Sequence, residues 1–281
     1  MKIVDAQIHV WAEETPERPW IPGGQAMAHL PEPLMPKDVL REMDRVGVDR
    51  CILVPPTWEG ERNDLAIAAS EQYPDRFAVI ARVPLDSDAQ EGSARLREAF
   101  EHPAVLGART VFIRDTAEYF ADGTADWFFS TAAEANMPLL VYAPGQQYRV
   151  AEKAEEYPEL KMTICHLGID VNLRDEEIVK PIDDVIELAR YPNVAVKVSS
   201  LPSFVTDPYP FKSLHPHIQR VVEAFGPERS FWGSDLSRLR CDYAELKSMF
   251  LEELDFLSDD DLELIMGRAI CDWFDWPLPR D

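Results

Sequence analysis

Polar side chains interrupt several segments of this sequence that are otherwise apolar enough to form buried strands. They are acids, amides, imidazoles, cations and hydroxyls at or near the segment ends: Asp5, Gln7, His9, Arg109, Tyr142, His166, Lys197, Ser199 and Asp235. Strands buried on both faces read as nearly continuous apolar runs, so the polar exceptions are informative. Two imidazoles and a carboxylate that meet at one point can supply three ligands to a divalent metal, which would acidify a bound water. For each residue taken alone, a buried polar group satisfied by hydrogen bonds is the alternative.

This chemistry requires a fold that places several strand ends next to one another. Along the whole chain, apolar runs alternate with amphipathic segments. The predicted strands are Lys2–Val10, Cys51–Pro55, Phe77–Val83, Val105–Phe112, Pro138–Tyr142, Lys161–His166, Val194–Ser199 and Ser230–Ser234. The predicted helices are Pro36–Val46, Asp64–Tyr73, Glu91–Glu101, Asp126–Ala135, Arg149–Tyr157, Ile178–Tyr191, His217–Phe225 and Asp259–Trp273. The alternation requires parallel pairing, and eight units without a glycine-rich phosphate loop favour a barrel over a doubly wound sheet. We therefore predict an α/β fold, a single (β/α)8 TIM barrel over residues 1–281, with its active site at the C-terminal ends of the strands.

Three polar residues of the first strand, Asp5, Gln7 and His9, share one parity, and Trp11 follows them. Because side chains alternate along a strand with period two, this spacing predicts that all three point to one side, toward the barrel axis. A long proline-rich loop, Thr15–Pro36, comes after this strand and is expected to lie over the mouth of the site; a plain surface connection is the alternative.

Charge and cysteine content exclude several classes of partner. The chain has 51 acidic and 28 basic residues, giving a net charge of −23, which repels nucleic acid and anionic membranes. The four cysteines form no CxxC pair, as expected of reduced thiols. The N-terminal residues contain no apolar run long enough for a signal peptide, and no stretch approaches a membrane span. We expect a cytoplasmic protein with a small-molecule substrate and no nucleic-acid or membrane partner; a homo-oligomer remains open.

The sequence resembles the amidohydrolase superfamily, and within it the amidohydrolase-2 branch of lactonases, hydratases and nonoxidative decarboxylases. The resemblance covers nearly the whole chain and rests on six segments: IVDAQIHVW, VLREMDRVGVDRCILVPP, NDLAIAASEQYPDRFAVIARV, CHLG, NVAVKVSS and FGPERSFWGSD.

The resemblance assigns roles to three residues. It makes His9 the second histidine of the strand-one HxH pair, His166 the strand-six histidine, and Asp235 the strand-eight aspartate that transfers protons or binds metal. The sequence departs from the pattern at Gln7, which replaces the first histidine, at Tyr142 on strand five, and in MGRA, where an asparagine usually precedes the alanine. Two versions therefore stay open: one Zn²⁺ or Mn²⁺ held by His9, His166 and Asp235 with Gln7, or no metal at all.

Other residues are candidates for binding the substrate. Arg109, in GART, resembles a substrate-binding arginine of related lactonases and could fork onto a carboxylate; a structural salt bridge is the alternative. Tyr142, Trp11 and Lys197 are further candidates, with packing as the alternative for Trp11 and a buried pairing with Asp235 for Lys197. His29, in the long first loop, is expected to be exposed; closure over a ligand is the alternative.

The leading functional hypothesis is hydrolysis of a small lactone or cyclic amide that carries a carboxylate, with His9, His166 and Asp235 as catalytic residues. A nonoxidative aromatic acid decarboxylase on the same scaffold is the second hypothesis. A catalytically inactive binding protein is the third.

Overall fold

Eight parallel strands form the centre of the computed structural model, which describes residues 1–278. They are Val4–Ile8 (β1), Arg50–Leu53 (β2), Phe77–Ala81 (β3), Val105–Val111 (β4), Leu139–Tyr142 (β5), Met162–Ile164 (β6), Val194–Ser199 (β7) and Ser230–Gly233 (β8). Each strand pairs with the next one along the chain. The first and last meet where the amide nitrogen of Asp235 donates to the carbonyl oxygen of Gln7 over 2.9 Å. The prediction of a (β/α)8 TIM barrel is confirmed; its range, 1–281, includes three residues that lie outside the described part.

Helices follow the strands and cover the sheet. They are Pro36–Val46 (α1), Asp64–Gln72 (α2), Ala89–Glu101 (α3), Asp126–Glu134 (α4), Gln147–Glu156 (α5), Val179–Ile186 (α6), His215–Phe225 (α7), Tyr243–Ser248 (α8), Asp259–Glu263 (α9) and Ala269–Trp273 (α10). All the predicted helical segments are present; α1 has the predicted bounds, and the others have shifted ends. The sequence patterns missed α8, whose six residues are too few for a clear periodicity.

The predicted helix Asp259–Trp273 is interrupted by a π-helical turn, Leu264–Arg268, between α9 and α10. Gly267 in this turn lies against the start of β1. A Cβ atom at that position would come within 2.3 Å of the carbonyl oxygen of Lys2. Only glycine therefore allows this helical segment to approach the strand so closely.

A bulge in β1 changes which way its side chains point. Asp5 pairs with Cys51 and Ile8 pairs with Leu53, so β1 advances one residue more than β2 between these pairs. An extra residue reverses the alternation of side chains beyond it. The prediction that Asp5 points to the axis with Gln7 and His9 is therefore wrong.

Asp5 instead faces the helix layer, where it joins three elements. Its carboxylate accepts hydrogen bonds from the hydroxyl of Tyr243 on α8 (2.6 Å) and from the backbone nitrogens of Ser234 and Gln7 (both 2.9 Å). Burial raises the pKa of the Asp5 carboxyl to about 6, although these hydrogen bonds oppose the shift. Asp5 is thus a structural group beneath the site.

Among the helices of residues 1–278, none has both the length and the apolar composition that are needed to cross a bilayer.

Candidate active site

Four side chains from three strand ends meet at the C-terminal mouth of the barrel. Gln7 lies in β1 and His9 directly follows it, while His166 and Asp235 each lie two residues after the end of their strands, β6 and β8. His9 Nε2 lies 3.2 Å from Asp235 Oδ1, and His166 Nε2 lies 3.7 Å from Asp235 Oδ2. Gln7 Nε2 lies 3.3 Å from His9 Nε2 and 3.0 Å from His166 Nε2. The structure therefore brings together the two histidines and the aspartate that the sequence indicated.

The backbone turns sharply at two of these residues. His166 has φ 52° and Asp235 has φ 53°, both in the left-handed region that non-glycine residues rarely adopt. Each such residue costs on the order of 1–3 kcal/mol and persists where the surrounding structure holds it, often at functional sites. The turns end β6 and β8 abruptly and leave both side chains buried at the mouth.

The hydrogen bonds of the histidines define their tautomers. His9 Nδ1 lies 2.5 Å from the carbonyl oxygen of Val54, which can only accept, so Nδ1 carries a proton. His166 Nδ1 lies 2.9 Å from Ser199 Oγ. Both Nε2 atoms are thereby turned toward Gln7 and Asp235.

Lys197 of β7 determines which end of the Gln7 amide faces the histidines. Its ammonium group donates to Gln7 Oε1, and both side chains are fully buried. An ammonium group has no acceptor, so the amide oxygen must face Lys197 and the amide nitrogen must face His9 and His166. Lys197, expected to bind substrate or pair with Asp235, is bonded to Gln7.

This donor set does not fit the divalent metal that related proteins suggest. An ion between the two Nε2 atoms would meet the hydrogens of the Gln7 amide, and reversing the amide would place its NH₂ group against the Lys197 ammonium. Within residues 1–278, no group of three or more His, Cys, Asp and Glu side chains has an arrangement that could hold a metal ion. The amide nitrogen of Gln7 thus occupies the position from which a fourth ligand would act.

Burial and neighbouring charges set the ionisation of the site. Burial alone would raise the pKa of Asp235, but the neighbouring His9 holds it well below its usual range, so Asp235 is ionised. Burial lowers the pKa of His166 well below its usual value, and burial also lowers the pKa of Lys197. The result is an ionised carboxylate beside a neutral His166.

Arg109 of β4 is a buried cation beside this cluster. Its Nε atom has no hydrogen-bond partner, and no carboxylate of residues 1–278 pairs with it. Burial lowers the pKa of Arg109, and the neighbouring Arg82 adds to the shift. Arg82 differs because Glu61 binds its guanidinium at 2.7 and 2.9 Å. A cavity of about 600 Å³ is lined by both arginines, so an anion entering it would meet Arg109 unpaired.

Two further candidates have mainly structural contacts. The hydroxyl of Tyr142 donates to the carbonyl oxygen of Ile169 over 2.9 Å, and its ring lies edge-on to His166 at 5.8 Å. Trp11 is fully buried and packs edge-on against Trp58 at 5.1 Å between ring centres.

Two further residues complete the site: His29, for which closure over a ligand was only the alternative, and Trp58, which the sequence patterns missed. His29 was expected to be exposed, which is wrong: it is half-buried, with its ring centre 5.7 Å from His9. Trp58, from the loop after β2, lies 5.9 Å from His9 and 4.6 Å from His29. The proline-rich context of His29 and the single-turn helix around Trp58 carry no periodic signal that could have placed them.

Comparison with known proteins agrees with this architecture. An L-fucono-1,5-lactonase from Burkholderia ambifaria is 26% identical over 250 residues, which cover 84% of this chain and 81% of that protein. An amidohydrolase from Burkholderia multivorans, solved with bound zinc, has a TM-score of 0.81 at 18% identity over 99% of this chain and 100% of its own.

Two other solved structures share the fold. A probable 2-pyrone-4,6-dicarboxylic acid hydrolase from Acinetobacter baumannii, with citric acid bound, has a TM-score of 0.77 at 18% identity, covering 98% of this chain and 100% of its own. A 2,6-dihydroxybenzoate decarboxylase from Rhizobium has a TM-score of 0.70 at 15% identity, covering 98% and 99%.

The amidohydrolase family model matches residues 4–272, which include every strand and every residue of the four-side-chain cluster. The resemblance that the sequence motifs indicated is thereby confirmed, and the chain belongs to the amidohydrolase family of enzymes.

Proposed function

We propose that this protein hydrolyses a small lactone or cyclic amide that carries a carboxylate, and that it does so without a bound metal. The observation that carries the proposal is the state of Asp235. Its carboxylate is buried and ionised, and Oδ1 forms no hydrogen bond of normal geometry although His9 Nε2 is 3.2 Å away. A buried, ionised carboxylate with an unused oxygen can accept a proton from a water molecule bound beside it.

Asp235 would act first as a base and then as an acid. It takes a proton from water while the water oxygen bonds to the carbonyl carbon of the substrate. The tetrahedral intermediate then collapses, the bond from that carbon to the ring oxygen or nitrogen breaks, and Asp235 returns the proton to the leaving atom. The proton count balances, and the net reaction consumes one water molecule.

His9 is the imidazole that can polarise the substrate carbonyl. Its Nδ1 proton is used by Val54, so it can donate toward the substrate only when Nε2 is also protonated. His166 remains neutral and accepts from the Gln7 amide, which holds the ring in place. Arg109 would bind the substrate carboxylate through two parallel hydrogen bonds.

A matched pair of lactones tests the proposal. D-glucaro-1,4-lactone carries a carboxylate where D-glucono-1,4-lactone carries a hydroxymethyl group, and acid release reports hydrolysis of both. The metal-free enzyme, prepared with a chelator and checked by elemental analysis, should hydrolyse the carboxylated lactone faster. Asp235→Asn should lower kcat by about 10²- to 10⁴-fold, whereas Asp260→Asn on the exposed surface should not. Activity that depends on added metal would refute the metal-free mechanism.

Nonoxidative decarboxylation is a second candidate because a decarboxylase shares the fold at a TM-score of 0.70. It would release carbon dioxide from an aromatic acid and consume no water in the net reaction. Measuring carbon dioxide release from 2,6-dihydroxybenzoate separates the two reactions. An inactive binding protein is disfavoured because His9, His166 and Asp235 all persist and meet at one point.

We also propose that the enzyme works in the cytoplasm on a small molecule and binds neither nucleic acid nor membranes. The net charge of −23 supports the absence of nucleic-acid and anionic-membrane partners, since both carry negative charge. Sedimentation analysis would decide whether it is a homo-oligomer.

A further inference from the structure

The loop that joins β1 to α1, residues 12–35, is anchored across the mouth of the barrel. On one side, the amide nitrogen of Ile21 donates to the carbonyl oxygen of Trp58 over 3.0 Å. Arg18 forms ion pairs with Glu59 (2.7 Å) and Asp64 (2.8 Å), which follow β2. Hydrogen bonds and ion pairs therefore fix this loop at the mouth of the barrel.

His29 forms the other anchor of the loop. Its Nδ1 atom lies 2.8 Å from Oγ of Ser237, two residues after Asp235. Its ring is held edge-on against Trp58 and faces the His9 ring. Contacts on three sides thus keep this imidazole over the Asp235–His9 pair.

The tautomer of His29 follows from its partner. Ser237 is buried, and His29 Nδ1 is the one acceptor that its hydroxyl meets in residues 1–278. A buried hydroxyl needs an acceptor, so Ser237 donates to Nδ1 and the proton of the neutral ring sits on Nε2. Nε2 is accessible and has no hydrogen-bond partner within the same residues.

We propose that His29 is a further catalytic residue: its Nε2–H group donates a hydrogen bond to a substrate oxygen that gains negative charge during the reaction. This role rests on the proposed hydrolysis, in which both the carbonyl oxygen and the leaving oxygen gain charge. Burial lowers the pKa of His29 to about 3, so the ring acts as a neutral donor and not as a proton carrier. A fixed donor aimed at a developing charge accelerates acyl transfer because it needs no reorganisation.

Kinetics with D-glucaro-1,4-lactone test the role. His29→Leu should lower kcat on the order of 100-fold and leave KM nearly unchanged, because the bond strengthens as charge develops. His29→Gln keeps an N–H donor and should recover most of the loss, and Ser237→Ala should give an intermediate loss. His102→Gln, at the end of α3, is the matched control. Unchanged kcat in His29→Leu, a loss confined to KM, or no recovery in His29→Gln would overturn the proposal.

Nitrogen NMR of histidine-labelled protein tests the same residue without a substrate. The His29 ring, identified by the signal missing from His29→Leu, should be neutral at pH 7 with its proton on Nε2. Ser237→Ala should change this signal. A proton on Nδ1, or a charged ring at pH 7, overturns the His29 proposal whether or not a lactone is hydrolysed. Failure of the lactone assay with the expected tautomer present would instead count against the proposed hydrolysis.

Discussion

Lys197 donates to the amide oxygen of Gln7, and this one contact turns the Gln7 amide nitrogen toward both His9 and His166. In the family pattern this position holds a histidine, whose Nε2 would offer a lone pair to an ion. In this protein the Gln7 amide presents its N–H hydrogens to that position, and its oxygen is bonded to the Lys197 ammonium group. The cluster therefore holds its geometry through hydrogen bonds that join β1, β6 and β7.

The amount of zinc that the protein retains should depend on the orientation of the Gln7 amide. After dialysis against zinc-containing and then zinc-free buffer, the wild type should retain little zinc. Lys197→Met frees the amide to turn its oxygen inward and removes a buried positive charge, so it should retain more. Gln7→His combined with Lys197→Met should retain the most, since imidazole nitrogen is the better ligand. Lys180→Met, on the surface, is the control for elemental analysis.

A stoichiometric zinc ion retained by the wild type would contradict the orientation of the Gln7 amide. Equal zinc content in the wild type and the double variant, with both folded by circular dichroism, would contradict a site blocked by Gln7 and Lys197.

The hydrogen bond from Tyr243 to Asp5 should contribute measurably to folding. Tyr243→Phe leaves a buried carboxylate oxygen without its side-chain donor, which should reduce the free energy of unfolding by about 1–3 kcal/mol. Urea denaturation measures the change, and Tyr148→Phe at an exposed ring is the control. An equal effect of the two substitutions would show that the bond is not formed.

The raised pKa of Asp5 also predicts that the stability of the protein depends on pH. Its pKa in the folded protein is raised to about 6 from 3.8, so the folded state favours the protonated form. Its contribution to stability is therefore full below about pH 4 and is lost as the pH rises to about 6. The stability of the wild type relative to Asp5→Asn should fall over this window and then level off. A flat difference from pH 4 to 7 would refute the raised pKa.

The strands were predictable from the sequence because both of their faces are buried. Strands of three to seven residues separated by amphipathic segments leave few alternatives, and the predicted bounds differ from the structure mainly at strand ends. The convergence of His9, His166 and Asp235 followed from parallel pairing, which puts every C-terminal strand end at the same mouth.

What the sequence could not predict depends on contacts between distant residues. The bulge in β1 is defined by its register against β2, and it separates Asp5 from Gln7 although their spacing is regular. The Gln7 amide is oriented by a residue 190 positions away. His29 lies in a loop without periodicity, so its place follows only from its contacts with Ser237 and Trp58.

We predict that the unpaired guanidinium of Arg109 binds the carboxylate of the substrate. The protein surface is strongly acidic, so an anionic substrate must be held by local positive charge, and Arg109 is buried and forms no ion pair with a carboxylate of residues 1–278. Arg109→Lys loses the two-pronged geometry and should raise KM for D-glucaro-1,4-lactone more than it lowers kcat. Arg109→Ala should weaken binding by about 2–5 kcal/mol, since the carboxylate would then be buried without a partner.

The neutral D-glucono-1,4-lactone separates this role from a structural one. Its KM should hardly change in either Arg109 variant, because it has no carboxylate to lose its partner, and Arg97→Lys on the surface should affect neither lactone. Equal losses on the charged and the neutral lactone would mean that Arg109 supports the fold of the site, and a substrate preference for the neutral lactone would refute anion binding. A selective loss on the charged lactone is expected because the other two guanidinium groups that line the cavity are less suited to bind its carboxylate: Arg82 is already bound by Glu61 at two atoms, and Arg114 is exposed to solvent.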